Sequence, residues 1–338
     1  MAGGPSTPEL AAAVAQAGAL GFVAAGYRTP DALAADVAAT RALTPAPLGV
    51  NVFTPGGAAG DPAAAAPYAR RLAADAQAAG AQLGAPRRDD DAFAAKMEML
   101  IAEPVAAVSF TFGLPPETVV ADLKTVGSEV WITVTGPDEA RLAEAAGADV
   151  LVVQGVEAGG HRGLFRDEPG ADGLGLLAAL QLVRAVTDLP LVGGGAIMTG
   201  AGVAAVLAAG AAAAQLGTVF LRCPEAGTSA PHRAILADGA RPTGLTRAFT
   251  GRLARGVRNR LMDEHPDAPV AYPDIHHVTA PLRAAARASG DPEVINLWAG
   301  QAYALAPERP AGEIVAELAA GARAALGQAA ASLSRSSP

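Results

Sequence analysis

A histidine stands among four glycines near the middle of the chain, directly after an apolar run. Residues 150–153 are Val-Leu-Val-Val, and the next ten are Gln154-Gly155-Val156-Glu157-Ala158-Gly159-Gly160-His161-Arg162-Gly163. Glycines let backbone N–H groups approach a ligand closely, and an imidazole titrates near neutral pH. A turn with a solvent-facing histidine is the alternative, but a turn needs only one or two glycines. The pattern therefore predicts a ligand site in which His161 carries chemistry.

Two further glycine segments end predicted strands later in the chain. They are Gly193-Gly194-Gly195 and Gln215-Leu216-Gly217-Thr218. Loops after the last two strands of an α/β barrel commonly hold a phosphate through backbone N–H groups. Close helix packing is the alternative, but two neighbouring strand ends share the feature here. The segments therefore indicate a phosphate-binding cradle.

The order of helix, glycine and strand recurs and indicates the architecture. Ala-Gly-Ala ends alanine-rich helical patterns, with its central glycine at positions 18, 80, 147 and 210. A strand, a helix and their loops take about 30 residues, so each interval holds two βα units and four such pairs make eight. The sequence predicts an α/β fold, a TIM (β/α)8-type barrel. A doubly wound open sheet is the alternative, weakened because no Gly-x-Gly-x-x-Gly motif follows an early strand.

Seven barrel strands can be located in the sequence. They are predicted near residues 20–24, 47–52, 105–110, 130–134, 149–154, 190–193 and 212–216. Thr7-Pro8-Glu9 predicts a first helix that ends at about Gln16. Because only six residues precede Thr7, we expect the first strand to be truncated. We also expect the reading frame upstream to encode an apolar strand of about five to six residues.

Prolines mark the end of the predicted barrel. Eight prolines between residues 223 and 305 prevent long helices there. We predict a barrel over residues 1–222 and a smaller insertion covering its mouth over 223–305. A helix returns to the barrel over 306–331, and residues 332–338 are predicted to be a disordered tail.

Composition narrows the functional class. The 338 residues are 51% hydrophobic, and the formal net charge of −8 disfavours nucleic acid or an anionic membrane as the main partner. A single cysteine, Cys223, excludes an intrachain disulfide. With no signal peptide at the N-terminus, we expect a cytoplasmic protein that acts on a small molecule. Monomer and homodimer both remain open.

Segments along nearly the whole chain resemble the nitronate monooxygenases, formerly called 2-nitropropane dioxygenases. They are AGGPSTPEL at 2–10, GVNVF at 49–53, SFTFG at 109–113, QGVEAGGHRG at 154–163, GGGA at 193–196, QLGT at 215–218 and LWAGQ at 297–301. The resemblance implies an FMN-dependent TIM barrel that oxidises alkyl nitronates such as propionate 3-nitronate with oxygen, without nicotinamide or metal. Members usually begin with a strand running into Ala-Pro-Met-Ala-Gly, whereas this chain starts at that methionine.

The resemblance also implies roles for individual residues. The FMN contacts fall on Asn51, Gln154, Gly159, Gly195, Gln215, Leu216, Gly217 and Thr218. The side-chain amides can hydrogen-bond the polar flavin edge, and the glycine N–H groups suit the phosphate. The family's histidine falls on His161, which would remove the α-proton of a neutral nitroalkane or orient an anionic nitronate.

Other candidate residues have simpler interpretations. Cys223 lies just beyond the last strand, but no base stands beside it to make it a nucleophile. His276 and His277 are interpreted as a surface or lid pair, because no third metal ligand has suitable spacing. Tyr303 is a weaker candidate for the pocket lining. Arginines between residues 241 and 260 are expected to pair with Asp263, Glu264 and Asp267, with guidance of an anionic substrate as the alternative.

Two other functions remain open. A flavin-dependent enoyl-thioester or quinone reductase is one, because relatives of that kind share the barrel and the Gly-Gly-His segment. Residues 110–115 and 297–301 resemble the nitronate group more closely. A flavin-binding protein without turnover is the other, which the short N-terminus keeps open.

Overall fold

The computed structural model describes residues 1–55, 59–168 and 173–335. Within these ranges the strands are β1 (Gly21–Ala24), β2 (Leu48–Phe53), β3 (Ala59–Gly60), β4 (Ala107–Thr111), β5 (Glu129–Val134), β6 (Val150–Gln154), β7 (Gly160–His161), β8 (Leu191–Gly194), β9 (Ala213–Gln215), β10 (Thr243–Thr246), β11 (Ala254–Val257) and β12 (Ala271–Tyr272). The main sheet has the order β1-β2-β4-β5-β6-β8-β9.

Every pairing in the main sheet is parallel. All seven predicted barrel strands form within a residue or two of their predicted bounds, and the TIM-type barrel class is confirmed. Strand β6 shows why: Val150, Leu151, Val152 and Val153 are all buried, as expected for a strand covered on both faces. Because the strands are parallel, their carboxyl ends lie at one edge of the sheet.

Helices alternate with these strands and cover the sheet. The helices are α1 (Pro8–Gln16), α2 (Pro30–Leu43), α3 (Ala65–Arg71), α4 (Ala73–Ala78), α5 (Phe93–Ala102), α6 (Glu117–Thr125), α7 (Pro137–Ala145), α8 (Leu176–Arg184), α9 (Gly200–Ala208), α10 (Ala230–Asp238), α11 (Arg260–Glu264), α12 (Asp274–Ser289) and α13 (Ala311–Arg335). Thr7, Thr29 and Thr199 cap α1, α2 and α9 by accepting a hydrogen bond from a first-turn amide. The predicted start and end of α1 are confirmed. None of the described helices has both the length and the apolarity to cross a bilayer.

A second, smaller sheet is attached at the carboxyl end of β6. Strand β11 pairs antiparallel with β10 on one side and with β7 on the other. Strand β12 pairs antiparallel with β3. The hydrophobic core beneath these strands joins Tyr68 and Leu72, near the end of α3, to Ile275 and Leu282 of α12. Residues from both sides of position 222 therefore build this core, and the domain division at that position stays a prediction.

The last helix begins and ends later in the chain than the sequence predicted. Helix α13 packs along α9 and α1 and continues to Arg335. Residues 332–335, predicted to belong to a disordered tail, are therefore helical, while residues 336–338 lie outside the described residues. The alanine-rich segment up to Ala331 favours a helix, and no proline or glycine between residues 332 and 335 stops it from continuing.

Candidate active site

His161 lies at the junction of the barrel and the second sheet. Its strand β7 comes soon after β6 in the chain, and its main chain pairs with Ala254 of β11. The imidazole Nε2 lies 2.8 Å from the Thr250 hydroxyl. Gln154 Nε2 donates to the His161 carbonyl at 3.0 Å. Both the ring and the backbone of His161 are therefore held by other elements.

Three aromatic rings pack around the imidazole. The ring centroids of Phe112, Tyr272 and Trp298 lie 5.8, 5.9 and 5.4 Å from that of His161. Phe112 has a φ of +81°, a left-handed conformation that bulky side chains rarely adopt. Backbone strain of this kind concentrates at functional sites, where the surrounding structure must impose it. The rings exclude water from part of the imidazole and set the shape of the site.

Buried guanidinium groups give this site a positive potential. Arg252 is 1% exposed and lies with its guanidinium carbon 4.0 Å from the Phe112 centroid. Arg283 is also buried and donates to Thr279 Oγ1 at 3.0 Å. Burial, and then the charges of Arg252 and Arg283, lowers the pKa of His161 to about 3. The imidazole is therefore neutral at pH 7, and the surrounding charge favours an anionic ligand.

The two predicted amide ligands lie at the carboxyl ends of β2 and β6. Asn51 Nδ2 donates to Thr111 Oγ1 at 3.0 Å, and the described residues give its Oδ1 no partner. Gln154 Oε1 accepts from Arg162 Nη1 at 2.7 Å and from Gly163 N at 2.9 Å. Protein groups thus occupy both lone pairs of Gln154 Oε1. Asn51 Oδ1 and the second Gln154 N–H remain able to bond a ligand.

Gly159 packs against protein backbone. A Cβ on this residue would lie 2.5 Å from Ala299 C and from Gly300 N. Gly300 N in turn donates to Thr218 Oγ1 at 3.0 Å. Residues 299–300 therefore connect the histidine loop to the turn after β9.

Gly195 and Gly217 leave space beside their backbones. At Gly195, with a φ of +149°, no atom lies nearer than 3.5 Å to the position of a Cβ. At Gly217 the nearest atoms are the end of the Met1 side chain, from 3.3 Å. Gly217 also precedes a short 3-10 helix, Thr218–Phe220, whose first N–H groups have no partner inside the helix.

These glycine segments are neighbours in space. Strand β8 pairs with β9, which sets Gly194 opposite Gln215. Gln215 is exposed, while Leu216, Gly217 and Thr218 are partly buried. Adjacent strand ends with open glycines and amides at the start of a turn suit an anion such as a phosphate. The residues present therefore fit the predicted phosphate cradle.

The other predicted residues make different contacts, and among them His276 borders the ring cluster through Tyr27, whose hydroxyl lies 3.3 Å from that of Tyr272. Cys223 is fully buried, and burial raises the pKa of its thiol to about 12, so it is not a nucleophile at neutral pH. Tyr303 is buried in the second core and donates to the Arg241 carbonyl at 2.7 Å. His276 stacks on Tyr27 with the ring centroids 4.0 Å apart. His277 Nε2 lies 3.0 Å from an oxygen of Asp89.

One group of described residues has metal-ligand spacing. Asp75, Glu264 and His265 bring their ligand atoms within 4.8 Å of one another. Arg260 Nη1 lies 2.7 Å from Asp75 and 2.6 Å from Glu264. A guanidinium group thus already pairs with both carboxylates.

Sequence reasoning missed several residues of the site. Thr250 and Phe112 come from distant parts of the chain, and no local pattern marks them. The arginine run is visible in the sequence, and Arg258 and Arg260 do pair with Asp263 and Glu264. Asp267 pairs with Arg71 instead, because α3 lies beside it. The members of the run at positions 252 and 255 are buried, which a surface ion-pair interpretation does not explain.

Comparison with known proteins identifies what the chain resembles. A family model described as "Nitronate monooxygenase" matches residues 1–321. The chain is 42% identical over 324 residues to a nitronate monooxygenase of Paraburkholderia phytofirmans, covering 93% of this chain and 88% of that protein. It is 41% identical to one of Pseudomonas aeruginosa, covering 93% and 92%.

Two solved structures superpose on nearly the whole chain. A nitroalkane oxidase from Streptomyces ansochromogenes superposes with a TM-score of 0.94 and 49% identity, covering 97% of this chain and 95% of that one. FabK from Thermotoga maritima superposes with a TM-score of 0.74 and 26% identity, covering 98% and 93%.

Proposed function

This chain belongs to the nitronate monooxygenase family and is thus an oxidoreductase, and on that premise we propose that it oxidises alkyl nitronates with molecular oxygen at the His161 site, using FMN. The observation that carries the proposal is a neutral imidazole, held by Thr250, in a pocket made positive by Arg252 and Arg283. A nitronate is anionic, so this pocket binds it in preference to the neutral nitroalkane.

The proposed cofactor site uses the residues that remain open to a ligand. Gly195 and the segment Gln215-Leu216-Gly217-Thr218 would hold the phosphate through backbone N–H groups. Asn51 Oδ1 and a Gln154 N–H would bond the polar edge of the ring system. Gly159 would contribute through the path of its loop, since its own close approach is to residues 299–300. Bound FMN supplies the electron acceptor for the substrate.

His161 has two proposed tasks, and its hydrogen bond defines them. The Thr250 hydroxyl donates to the Arg252 carbonyl at 3.3 Å. Its oxygen then accepts the Nε2–H of His161, which leaves the lone pair on Nδ1. Nδ1 would take the α-proton of a neutral nitroalkane, while a pre-formed nitronate needs only to be oriented. Because a pKa of about 3 makes a weak base, the nitronate is the better substrate.

His161→Asn separates these two tasks. Turnover of neutral nitroethane is expected to fall about 10²- to 10⁴-fold, the usual contribution of one general base. Ethyl nitronate is expected to keep reducing the flavin, with weaker binding, because it needs no deprotonation. Oxygen uptake measures turnover, and flavin absorbance measures reduction by the nitronate. The FMN content shows whether the variant still holds its cofactor.

His232→Asn is the matched control, because His232 is another buried neutral histidine, whose pKa burial lowers to about 4. Equal, near-total loss with both substrates in an FMN-replete His161→Asn enzyme would contradict the base role and make His161 an obligatory nitronate ligand. Unchanged activity with both would remove His161 from the site.

A further inference from the structure

Arg162 is a buried cation that the proposed function does not use. Its side chain is 1% exposed, and within the described part of the chain no carboxylate forms an ion pair with it. Burial lowers the pKa of Arg162 to about 10, so the guanidinium is still charged at pH 7. A buried charge of this kind is costly unless hydrogen bonds stabilise it. The hydrogen bonds of Arg162 therefore indicate what the residue does.

Those hydrogen bonds go to the carboxyl end of β6. Arg162 Nη1 donates to Gln154 Oε1 at 2.7 Å and to the Gly155 carbonyl at 2.5 Å. Arg162 Nη2 lies 3.4 Å from the Gln154 carbonyl. The guanidinium thus holds both the side chain of Gln154 and the backbone of the turn that follows it.

The network around Gln154 allows its amide one orientation. Oε1 also accepts from Gly163 N at 2.9 Å, and Nε2 donates to the His161 carbonyl at 3.0 Å. A rotated amide would place its NH₂ group against the donors of Arg162 and Gly163, and its oxygen against the His161 carbonyl. The free group that Gln154 offers to a ligand is therefore an N–H.

The amide of Asn51 is held with the opposite polarity. Its Nδ2 donates to the Ser109 carbonyl at 3.2 Å, to Ser109 Oγ at 3.1 Å and to Thr111 Oγ1 at 3.0 Å. Asn51 therefore offers an oxygen. One donor and one acceptor match the polar edge of a flavin, which carries carbonyl oxygens and a ring N–H.

A guanidinium behind the Gln154 amide changes how strongly that amide donates. Hydrogen bonds from a charged group are stronger than neutral ones, and a bond to Oε1 polarises the amide and strengthens its N–H as a donor. The carbonyl oxygens of the flavin edge gain electron density when the flavin is reduced. A stronger donor there stabilises the reduced form more than the oxidised form and raises the midpoint potential.

We propose that Arg162 is a positioning residue that acts through Gln154, because it holds the amide with its N–H toward the flavin and so raises the midpoint potential of bound FMN. The inference rests on the proposed function, since it requires FMN beside Gln154. Arg162 itself touches neither the substrate nor the flavin in this arrangement.

Arg162→Met tests the role, because it removes the charge and keeps much of the side-chain volume. Reduced FMN is expected to bind about three- to tenfold less tightly relative to oxidised FMN. For this two-electron couple the midpoint potential then falls by about 15 to 30 mV. Reductive titration of the FMN-loaded protein against a dye of known potential measures the shift without any nitronate. The melting temperature of the flavin-free protein shows whether the variant still folds.

Arg255→Met is the matched control. Arg255 is also buried, and its Nε donates to the Val156 carbonyl at 2.8 Å, so it holds the same turn without a hydrogen bond to the Gln154 amide. Its loss is expected to lower the melting temperature and to leave the midpoint potential unchanged. Arg162→Lys keeps the charge but not the planar fork, and it is expected to recover part of the potential.

A double-mutant cycle with Gln154→Met shows whether Arg162 acts through the amide. Gln154→Met is expected to lower the midpoint potential, and adding Arg162→Met is expected to lower it no further. If Arg162→Met is too unstable to hold FMN, Arg162→Lys takes its place in the cycle, with a smaller shift that is likewise expected to vanish.

The outcomes separate this inference from the proposed function. An unchanged potential in the Arg162 variant, or the same shift with and without Gln154, would overturn the positioning role and leave the proposed function standing. Failure of ethyl nitronate to reduce a flavin whose potential shifts as expected would overturn the proposed substrate alone. A protein that binds no FMN would overturn both.

Discussion

Thr250 fixes the imidazole of His161 through one hydrogen bond of 2.8 Å. Thr250→Val keeps the shape of this buried side chain and removes the hydroxyl. We expect kcat/KM for ethyl nitronate to fall about three- to tenfold, the usual worth of one hydrogen bond, because the ring loses its orientation. Thr250→Ser restores the hydroxyl and is expected to recover most of the rate. Equal losses in the two variants would show that Thr250 does not act through this bond.

At the residue scale, local sequence could locate His161 but not its environment. The glycines around it are adjacent in the chain, so their pattern is visible. Thr250 and Arg283 reach the site only through tertiary packing, and no spacing in the sequence encodes that. The pKa of about 3 for His161 results from burial and from two arginines that lie far away in the sequence. This pKa could therefore not be predicted from the residue type.

At the element scale, the turn after β9 is the feature most open to test. In Gly217→Leu the added Cβ lies within 4 Å of the Met1 side chain alone, from 3.3 Å, so the fold is expected to survive. The amides of the turn become less accessible, and we expect FMN affinity to fall at least about tenfold, or about 1.4 kcal/mol. The absorbance of bound flavin measures FMN affinity, and the melting temperature of the protein shows whether the fold survives.

Two glycines serve as controls for this turn. Gly327→Leu adds the same side chain where no atom lies within 4 Å, and flavin binding is expected to be unchanged. Gly159→Ala forces overlap with Ala299 and Gly300, so it is expected to lower the stability of the protein by about 1 to 3 kcal/mol. Full FMN occupancy in Gly217→Leu would refute the phosphate assignment.

Elements with a long, regular pattern were predictable. The seven barrel strands and α1 lie close to their predicted bounds, because strands such as β6 are buried, unbroken apolar runs and Thr7 caps the helix. The two-residue strands β3, β7 and β12 were not predicted, since two residues carry no periodicity. The C-terminal end of α13 was predicted at residue 331 and lies at Arg335, because no glycine or proline marks a stop between these positions.

At the scale of the whole molecule, overall charge and local charge differ. The chain has a formal net charge of −8, yet the pocket around His161 is lined by buried arginines.

The barrel class was predictable from the recurrence of Ala-Gly-Ala. The second core was not, because it joins Tyr68 and Leu72 to Ile275 and Leu282 across some 200 residues of sequence. Such long-range packing has no local signature.

Anaerobic mixing of the FMN-loaded protein with possible electron donors tests the central claim most directly. One sample receives ethyl nitronate and a second receives NADPH, and the flavin absorbance is monitored in both. We expect the nitronate to bleach or shift the flavin spectrum, NADPH to leave it unchanged, and oxygen to restore it when admitted. Bleaching by NADPH with no response to the nitronate would contradict the account and identify a reductase.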